Sequence, residues 1–168
     1  MSVKLGFQGG ERLREIGLFG GLGDEVLQDL SGSLDLIELT PGSVVFREGD
    51  SGREMFVLLD GEMEVLKQSK RKHETRVAVL GPGDWFGEMS ILDVLPRSAT
   101  VRAVAPSRLL RMTAHDLDSL YRRDLRAYSL LVLNIAREMS RRLRVCDNLL
   151  AELVANVIDE YTRPNRTS

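Results

Sequence analysis

The sequence predicts a mainly β fold flanked by helices. Between residues 35 and 112 the chain consists of short apolar runs separated by glycines, whereas the segments before and after have apolar residues at helical spacing. The chain has 168 residues, 43% of them hydrophobic and 29% charged, which is typical of a globular domain with one core. Many short strands at regular spacing indicate a sandwich, a jelly roll or a small barrel.

The first region, residues 11–34, has the pattern of short helices. Leu13 and Ile16 fall on one helical face, and Asp24 stands before an apolar run, where we predict that it is an N-cap. Three glycines divide the region into two pieces: Gly20, Gly21 and Gly23.

The second region, residues 35–112, has the period of two that is typical of strands. The alternating apolar positions are Val44 and Phe46; Met55, Val57 and Leu59; Met63 and Val65; Val77 and Val79; and Val101 and Ala103. The Asp60-Gly61 dipeptide predicts a turn between the second and third runs. The charged segment at residues 67–75 predicts an exposed hairpin loop, which we interpret as solvated rather than as an anion or partner site.

The third region, residues 115–162, returns to helical spacing. Apolar residues alternate at intervals of four and three over about 25 residues, as in a heptad seam: Val132, Ala136, Met139, Leu143, Cys146, Leu150, Leu153 and Val157. The alternative is that this stripe packs on the core of the same domain, since such a helix has much the same pattern of apolar residues. The stripe widens after Leu149 to include three more apolar residues, which favours a partner helix: Val154, Ile158 and Tyr161.

Composition argues against several functional classes. The formal net charge of -2 lacks the basic excess of a nucleic-acid binder. The start of the chain has no apolar leader, and apolar runs such as residues 130–133 are too short to cross a bilayer. The single cysteine has no partner for a disulfide. We therefore expect a cytoplasmic protein that binds neither DNA nor membranes.

No catalytic or metal-binding pattern is found in the sequence. The two histidines, His73 and His115, are far apart in the chain and do not form the cluster that a metal site needs. Ser98 has no histidine near it in sequence that would act as a base. We therefore predict that the protein is not an enzyme and needs no cofactor.

One segment, FGEMSILDVLPRSATV at residues 86–101, has the residue types of a nucleotide site. Gly87 allows close approach of the backbone, and the guanidinium of Arg97 is suited to a phosphate. Glu88 has the wrong sign for a phosphate, but its carboxylate accepts hydrogen bonds from ribose hydroxyls. The alternative is that Glu88 favours a helix N-terminus and pairs with Arg97 at the surface.

The longer segment at residues 86–103 resembles the phosphate-binding cassette of the cyclic nucleotide-binding domain family. Residues 41–66 resemble the first strands of that family, and residues 13–30 resemble its opening helices. The resemblance extends over residues 13–158 and implies a jelly-roll-like β-roll with short N-terminal helices and a long C-terminal helix. We accordingly expect residues 1–168 to form one non-catalytic domain of this kind.

The resemblance also implies roles for individual residues. Glu88 is expected to accept from the ribose 2'-hydroxyl, and Arg97 to bind the cyclic phosphate. Gly87, Ser98 and Ala99 are expected to supply backbone and hydroxyl contacts around that phosphate. The ligand-binding residues expected from the cassette are Phe86, Gly87, Glu88, Met89, Ser90, Arg97, Ser98 and Ala99.

Residues 133–145, LNIAREMSRRLRV, resemble the dimer helix of the catabolite activator branch of the family. In that branch the positions that align with Cys146 and Asp147 meet the base, so both residues are expected at the ligand. An aspartate accepts from the adenine amino group with one oxygen or from two guanine N–H groups with both. Asp147 facing only water is the alternative. We favour cAMP and keep cGMP open.

The expected function is that of a stand-alone cyclic nucleotide receptor. It forms a homodimer through its C-terminal helix and signals to an unidentified effector protein by movement of that helix. The activator branch continues into a DNA-binding helix-turn-helix, and only residues 165–168 follow Pro164 here. The alternatives are a ligand-independent interaction adaptor, a cGMP receptor and a truncated sensor domain of a transcription regulator.

Overall fold

A computed structural model describes the backbone of residues 3–4, 9–69 and 73–162 and the side chains of residues 9–69 and 73–158. The middle of the charged loop, the side chain of Tyr161 and the segment after Thr162 lie outside the described residues.

The N-terminal region forms short helices, as predicted. A two-residue strand β1 (Val3–Lys4) precedes α1 (Gly9–Arg14), a single 3-10 turn (Gly17–Phe19) and α2 (Asp24–Ser33). The predicted N-cap at Asp24 is wrong, because Gly23 occupies that position and Asp24 is the first helical residue. The Asp24 carboxylate pairs with Arg14 of α1 instead.

The β region consists of two antiparallel sheets, which confirms the mainly β roll with flanking helices. Its elements are β2 (Asp35–Leu39), β3 (Val44–Phe46), β4 (Glu54–Asp60), β5 (Met63–Gln68), β6 (Glu74–Leu80), β7 (Trp85–Phe86), α3 (Met89–Leu92), β8 (Thr100–Ala103) and β9 (Ser107–Thr113). The first sheet has the order β1-β2-β9-β4-β7, and the second has the order β3-β8-β5-β6.

The two predicted turns have different roles. β5 and β6 pair from Met63↔Leu80 to Gln68↔Glu74, so the charged loop does close a hairpin. The Asp60-Gly61 turn joins β4 and β5, which lie in different sheets and do not pair with each other. It carries the chain from one sheet to the other. Gly61 has a φ of 96°, and a Cβ there would lie 2.3 Å from Ser107 Oγ.

Strand β4 is buried on both faces and lies between two apolar clusters. Met55 and Val57 pack with the helices, whereas Phe56 and Leu58 face the second sheet. The cluster between the sheets also contains Phe86, the last residue of β7. Sequence alternation therefore identified only one of the two buried faces of this strand.

Two helices end the described chain. α4 (Ala114–Arg123) begins at a capping box between Thr113 and Asp116. α5 (Leu125–Thr162) has 38 residues and is therefore about 57 Å long. None of the described helices is long and apolar enough to cross a membrane.

Only the first half of α5 contacts the domain. Leu131 and Ile135 are buried in the core, and the Asn134 side-chain amide donates to the carbonyls of Leu18 at 3.0 Å and Gly20 at 2.9 Å. The later apolar residues of α5 are all 50–62% exposed: Leu143, Val145, Leu149, Leu150, Leu153, Val154, Val157 and Ile158. The helix thus continues past the body of the domain with a broad apolar surface.

Candidate functional site

A cavity of about 300 Å³ opens beside the cassette. All eight cassette residues expected at the ligand line it, together with apolar residues of the second sheet and one residue of α5. The lining residues are Phe46, Val65, Ala78, Leu80, Phe86, Gly87, Glu88, Met89, Ser90, Arg97, Ser98, Ala99, Val101 and Arg142.

Arg97 is held at one end of the cavity with only 4% of its surface exposed. Its Nη1 donates to the carbonyl of Glu54 at 2.7 Å, the carbonyl of Gly87 at 3.1 Å and the hydroxyl of Ser90 at 2.7 Å. Its guanidinium carbon lies 4.1 Å from the centroid of the Phe46 ring. The Arg97 side chain therefore contacts β4, the cassette and β3 at the same time.

The remaining edge of the Arg97 guanidinium is only weakly paired. Nε is buried without a hydrogen-bond partner in the described part of the chain, and Nη2 lies 3.8 Å from Glu54 Oε1. Burial lowers the pKa of Arg97, and the negative charges of Glu54 and Asp50 oppose that shift. A buried cation with an unused donor is suited to an anionic ligand.

Two glycines make room for this guanidinium. A Cβ on Gly52 would lie 2.5 Å from Arg97 Nη2, and a Cβ on Gly87 would lie 2.8 Å from Nη1. Gly87 also has a φ of 83°, which other residues rarely adopt. Gly87 was predicted at the site from the sequence, whereas Gly52 was not.

Glu88 begins α3 at the N-cap position and is 5% exposed. Its side chain makes no capping hydrogen bond. Burial raises the pKa of the Glu88 carboxyl, and the charge of Arg142 opposes the shift. The surface pair between Glu88 and Arg97 is not found, because both residues are buried and each has a different partner.

Arg142 is the partner of Glu88, and sequence reasoning missed it. Its Nη1 lies 3.4 Å from Glu88 Oε1, its Nη2 donates to the carbonyl of Trp85 at 2.9 Å, and its Nε donates to Glu138 at 3.1 Å. The sequence did contain a signal. Positions 131, 135, 138 and 142 follow helical spacing, which places Arg142 on the stripe that faces the domain.

The other cassette residues have distinct surroundings. Ser90 is 3% exposed and donates to the carbonyl of Gly87 at 3.0 Å. Met89 is 43% exposed, and its sulfur accepts from the hydroxyl of Ser98 at 3.7 Å. Ala99 is half-buried beside them. The cavity is therefore polar near the cassette and apolar along the walls formed by the strands.

Cys146 and Asp147 are not brought to the cavity. Both are exposed and lie outside its lining. They follow Arg142 by four and five residues, which is about 6 to 8 Å along the helix axis. Because α5 has by then passed the roll, these side chains have no part of the domain beneath them.

No group of histidine, cysteine, aspartate and glutamate residues in the described ranges is arranged to hold a metal ion. The side chains at this site therefore offer hydrogen bonds, charge and apolar contact.

Comparison with known proteins identifies the family. Residues 36–124 match the model of the cyclic nucleotide-binding domain. The chain belongs to the cyclic nucleotide-binding domain family. Members of this family are regulatory or sensor domains. The fold agrees with that of a solved cyclic nucleotide-binding domain from Methylobacillus flagellatus, which superposes with a TM-score of 0.82 at 24% sequence identity. The superposition includes 90% of this chain and 88% of the Methylobacillus flagellatus chain.

Two curated relatives are similar in sequence. A CRP-like cAMP-activated global transcriptional regulator of Mycobacterium tuberculosis is 28% identical over 144 residues, which cover 86% of this chain and 62% of the relative. The cyclic AMP receptor protein of Thermus thermophilus is 37% identical over 131 residues, which cover 77% of this chain and 58% of the relative. The chain thus spans about three fifths of the length of these relatives.

Proposed function

We propose that this chain is a regulatory module that binds a purine cyclic monophosphate in the cavity beside the cassette, with cAMP preferred to cGMP. The observation that carries the proposal is that one cavity is lined by a buried arginine with an unused donor and by a buried carboxylate. Arg97 and Glu88 are 4% and 5% exposed, and neither neutralises the other. A ligand with an anion next to hydroxyl donors fits both.

The proposed ligand is placed by the chemistry of the lining. The cyclic phosphate lies at Arg97, with the backbone of Gly87, Ser98 and Ala99 around it. The ribose 2'-hydroxyl donates to Glu88. The base lies against the apolar wall, to which Val65 and Leu80 contribute. The preference for cAMP rests on the names of the two curated relatives, both of which refer to cAMP.

Signalling is proposed to pass through α5. Arg142 contacts Glu88, so a ribose bound at Glu88 changes the surroundings of the residue that holds α5 over the cavity. A shift of α5 then alters the surface presented to an effector protein. The energy for such a shift comes from the difference in ligand affinity between the two helix positions.

Two further features belong to this proposal. The exposed apolar surface of α5 supports a homodimer formed through this helix. Cys146 is exposed and unpaired, which fits a reducing cytoplasmic compartment.

A second candidate function is that the chain acts as the sensor part of a transcription regulator, which the named activity of the Mycobacterium tuberculosis relative favours.

Calorimetric titration of the purified chain with cAMP and with cGMP tests the proposal. We expect saturable binding of one nucleotide per chain, with the lower Kd for cAMP. AMP, which lacks the phosphodiester ring, is the matched control and should bind much more weakly. Failure of both cyclic nucleotides to bind at millimolar concentration would refute the function, whereas tighter binding of cGMP would reverse only the base preference.

A further inference from the structure

An ion pair stands directly beside the end of the cassette. Lys67, on β5, donates from Nζ to Glu48 Oε1 at 2.6 Å and to the carbonyl oxygen of Ser98. Glu48 in turn accepts from the backbone N–H of Gln68 at 2.9 Å, and its own N–H donates to Thr100 Oγ1 at 2.9 Å. The pair therefore links the loop after β3, the end of β5 and the start of β8.

This contact fixes the orientation of one peptide group of the cavity. Ser98 and Ala99 line the cavity, whereas Lys67 and Glu48 do not. The peptide unit between Ser98 and Ala99 is planar and trans, so its C=O and N–H point in opposite directions. A hydrogen bond that holds the Ser98 oxygen consequently also sets the direction of the Ala99 N–H.

We propose that Lys67, anchored by Glu48, is a positioning residue that orients the Ser98-Ala99 peptide for the phosphate of the bound nucleotide. This inference rests on the proposed function of the cavity. Backbone N–H groups directed at an anion need a fixed peptide plane, because a peptide free to rotate loses entropy on binding. Lys67 and Glu48 supply that restraint from outside the cavity.

The state of the pair agrees with this role. The hydrogen bond from Lys67 holds the pKa of the Glu48 carboxyl below its usual range, so the carboxylate stays ionised at neutral pH. The Lys67 side chain is 49% exposed, so its charge is largely solvated and screened. A precise hydrogen bond is then a better account of its contribution than long-range attraction of the ligand.

The sign of a Glu48 substitution separates positioning from direct attraction. If Lys67 acted only through its charge, removing the carboxylate of Glu48 would free the ammonium and strengthen phosphate binding. If Lys67 acts by holding the Ser98 carbonyl, Glu48→Gln releases the ammonium from its anchor and weakens binding. The two accounts predict opposite effects from a single substitution.

The test is calorimetry with cAMP and cGMP on four variants of the full chain. Lys67→Met is expected to raise both Kd values by about threefold to tenfold, because one charge-assisted hydrogen bond is lost. Lys67→Arg should recover most of the affinity, and Glu48→Gln should raise both Kd values. Arg102→Met is the control, since Arg102 pairs with Glu64 on the same two strands and neither residue lines the cavity, and it should leave both Kd values unchanged. Tighter binding by Glu48→Gln, or equal Kd values for wild type and Lys67→Met, would overturn the proposal.

A measurement without ligand keeps this inference separate from the proposed function. In amide NMR spectra of the free protein, Lys67→Met should shift the Ala99 resonance and speed its hydrogen exchange, whereas Arg102→Met should not. If the wild type binds neither nucleotide, the proposed function fails and the Ala99 resonance still reports on Lys67. An unmoved Ala99 resonance in Lys67→Met would refute the positioning role.

Discussion

Arg142 Nη1 lies 3.4 Å from Glu88 Oε1, so the long helix α5 contacts the carboxylate that begins the cassette helix. This pair joins residues 54 positions apart, and it is the point where α5 meets the cavity lining. The same guanidinium lies 6.0 Å from the centroid of the Trp85 ring. A ligand bound at Glu88 is therefore expected to change the environment of α5 and of the indole together.

Trp85 provides a direct readout of that contact. It is the only tryptophan in the chain, so its fluorescence needs no label. We expect saturating cAMP to change Trp85 emission, and Arg142→Gln to reduce that change by more than half. Arg141→Gln is the matched control, because Glu138 is the ion-pair partner of Arg141 in the described part of the chain and the Arg141 side chain is 66% exposed. If cAMP changed Trp85 emission in Arg142→Gln as much as in wild type, Arg142 would be excluded as the link between the ligand and α5.

The raised pKa of Glu88 predicts a specific pH dependence of stability. Burial raises the pKa of this carboxyl, so its contribution to folding is fully present below the ordinary glutamate value of about 4.3 and is lost as the pH rises through the folded-state value. Glu88→Gln cannot ionise and therefore avoids this loss of folding stability at high pH. At pH 7 we expect its Tm to be about 2–4 °C above wild type, as for a gain of about 1 kcal/mol.

Thermal unfolding by circular dichroism from pH 4 to pH 8 measures the effect, and the difference in Tm should vanish near pH 4. Glu138 is the control, because its pKa shift is opposite in direction to that of Glu88. Burial alone raises its pKa, but hydrogen bonds from Arg141 and Arg142 lower it overall. Glu138→Gln should therefore lower the Tm at pH 7. A lower Tm for Glu88→Gln at pH 7 would contradict the assignment of Glu88 as a destabilising buried charge.

Substitutions of Arg97 should separate its charge from its hydrogen bonds. Arg97→Ala is expected to weaken cAMP binding by about 2 to 5 kcal/mol, roughly 30-fold to several thousand-fold. It should also lower stability, because Glu54 and Gly87 carbonyls and the Ser90 hydroxyl lose their donor.

Arg97→Lys is the sharper variant, since it keeps the positive charge without the planar fork. We expect it to raise the Kd for cAMP by about 10-fold to 150-fold with a smaller loss of Tm than Arg97→Ala. Calorimetry and thermal unfolding measure the two effects separately. Wild-type affinity in Arg97→Lys would show that charge alone accounts for the role of Arg97.

Glu54 is expected to limit nucleotide affinity. Its carboxylate lies 3.8 Å from Arg97 Nη2 and so competes with a bound phosphate for the same cation. Its backbone carbonyl, which also holds Arg97, is unaffected by side-chain substitution. Glu54→Gln should therefore lower the Kd for cAMP by about threefold to tenfold, less at high salt. Glu38→Gln, an exposed change on β2, is the control. Weaker binding by Glu54→Gln would mean that its charge holds Arg97 in place for the ligand.

The apolar surface of α5 predicts how the chain assembles. Leu150 and Leu153 are 61% and 62% exposed and belong to the heptad seam, so replacing both with glutamate should convert a dimer to a monomer. Asn148→Glu with Ala155→Glu adds the same charges on the opposite face of the helix and should leave the dimer intact. Sedimentation equilibrium decides between these results. A wild-type chain that is monomeric at tens of micromolar, with and without nucleotide, would rule out this interface.

Local patterns in the sequence predicted the mainly β architecture, and the resemblance to the family predicted the cassette. The period of two, the glycine spacing and the charged hairpin loop predicted β3, β4, β5, β6 and β8 at their observed places, because these signals depend on neighbouring residues, whereas β2, β7 and β9 were not predicted individually. The eight cassette residues line one cavity for the same reason, since they come from two short adjoining segments. The N-cap at Asp24 was wrong because a contact with Arg14 of another helix is not visible in a local pattern.

Only the tertiary structure decided which distant residues meet. The sequence by itself placed Glu88 and Arg97 in one short segment, but it did not determine their partners. Arg142 reaches Glu88 because α5 crosses the roll there, and Glu54 reaches Arg97 because β4 lies beside the cassette. Cys146 and Asp147 are on the same helix as Arg142, yet they miss the cavity because the roll ends beneath them. Helical spacing sets the face on which a side chain lies, whereas the packing of whole elements sets what that face meets.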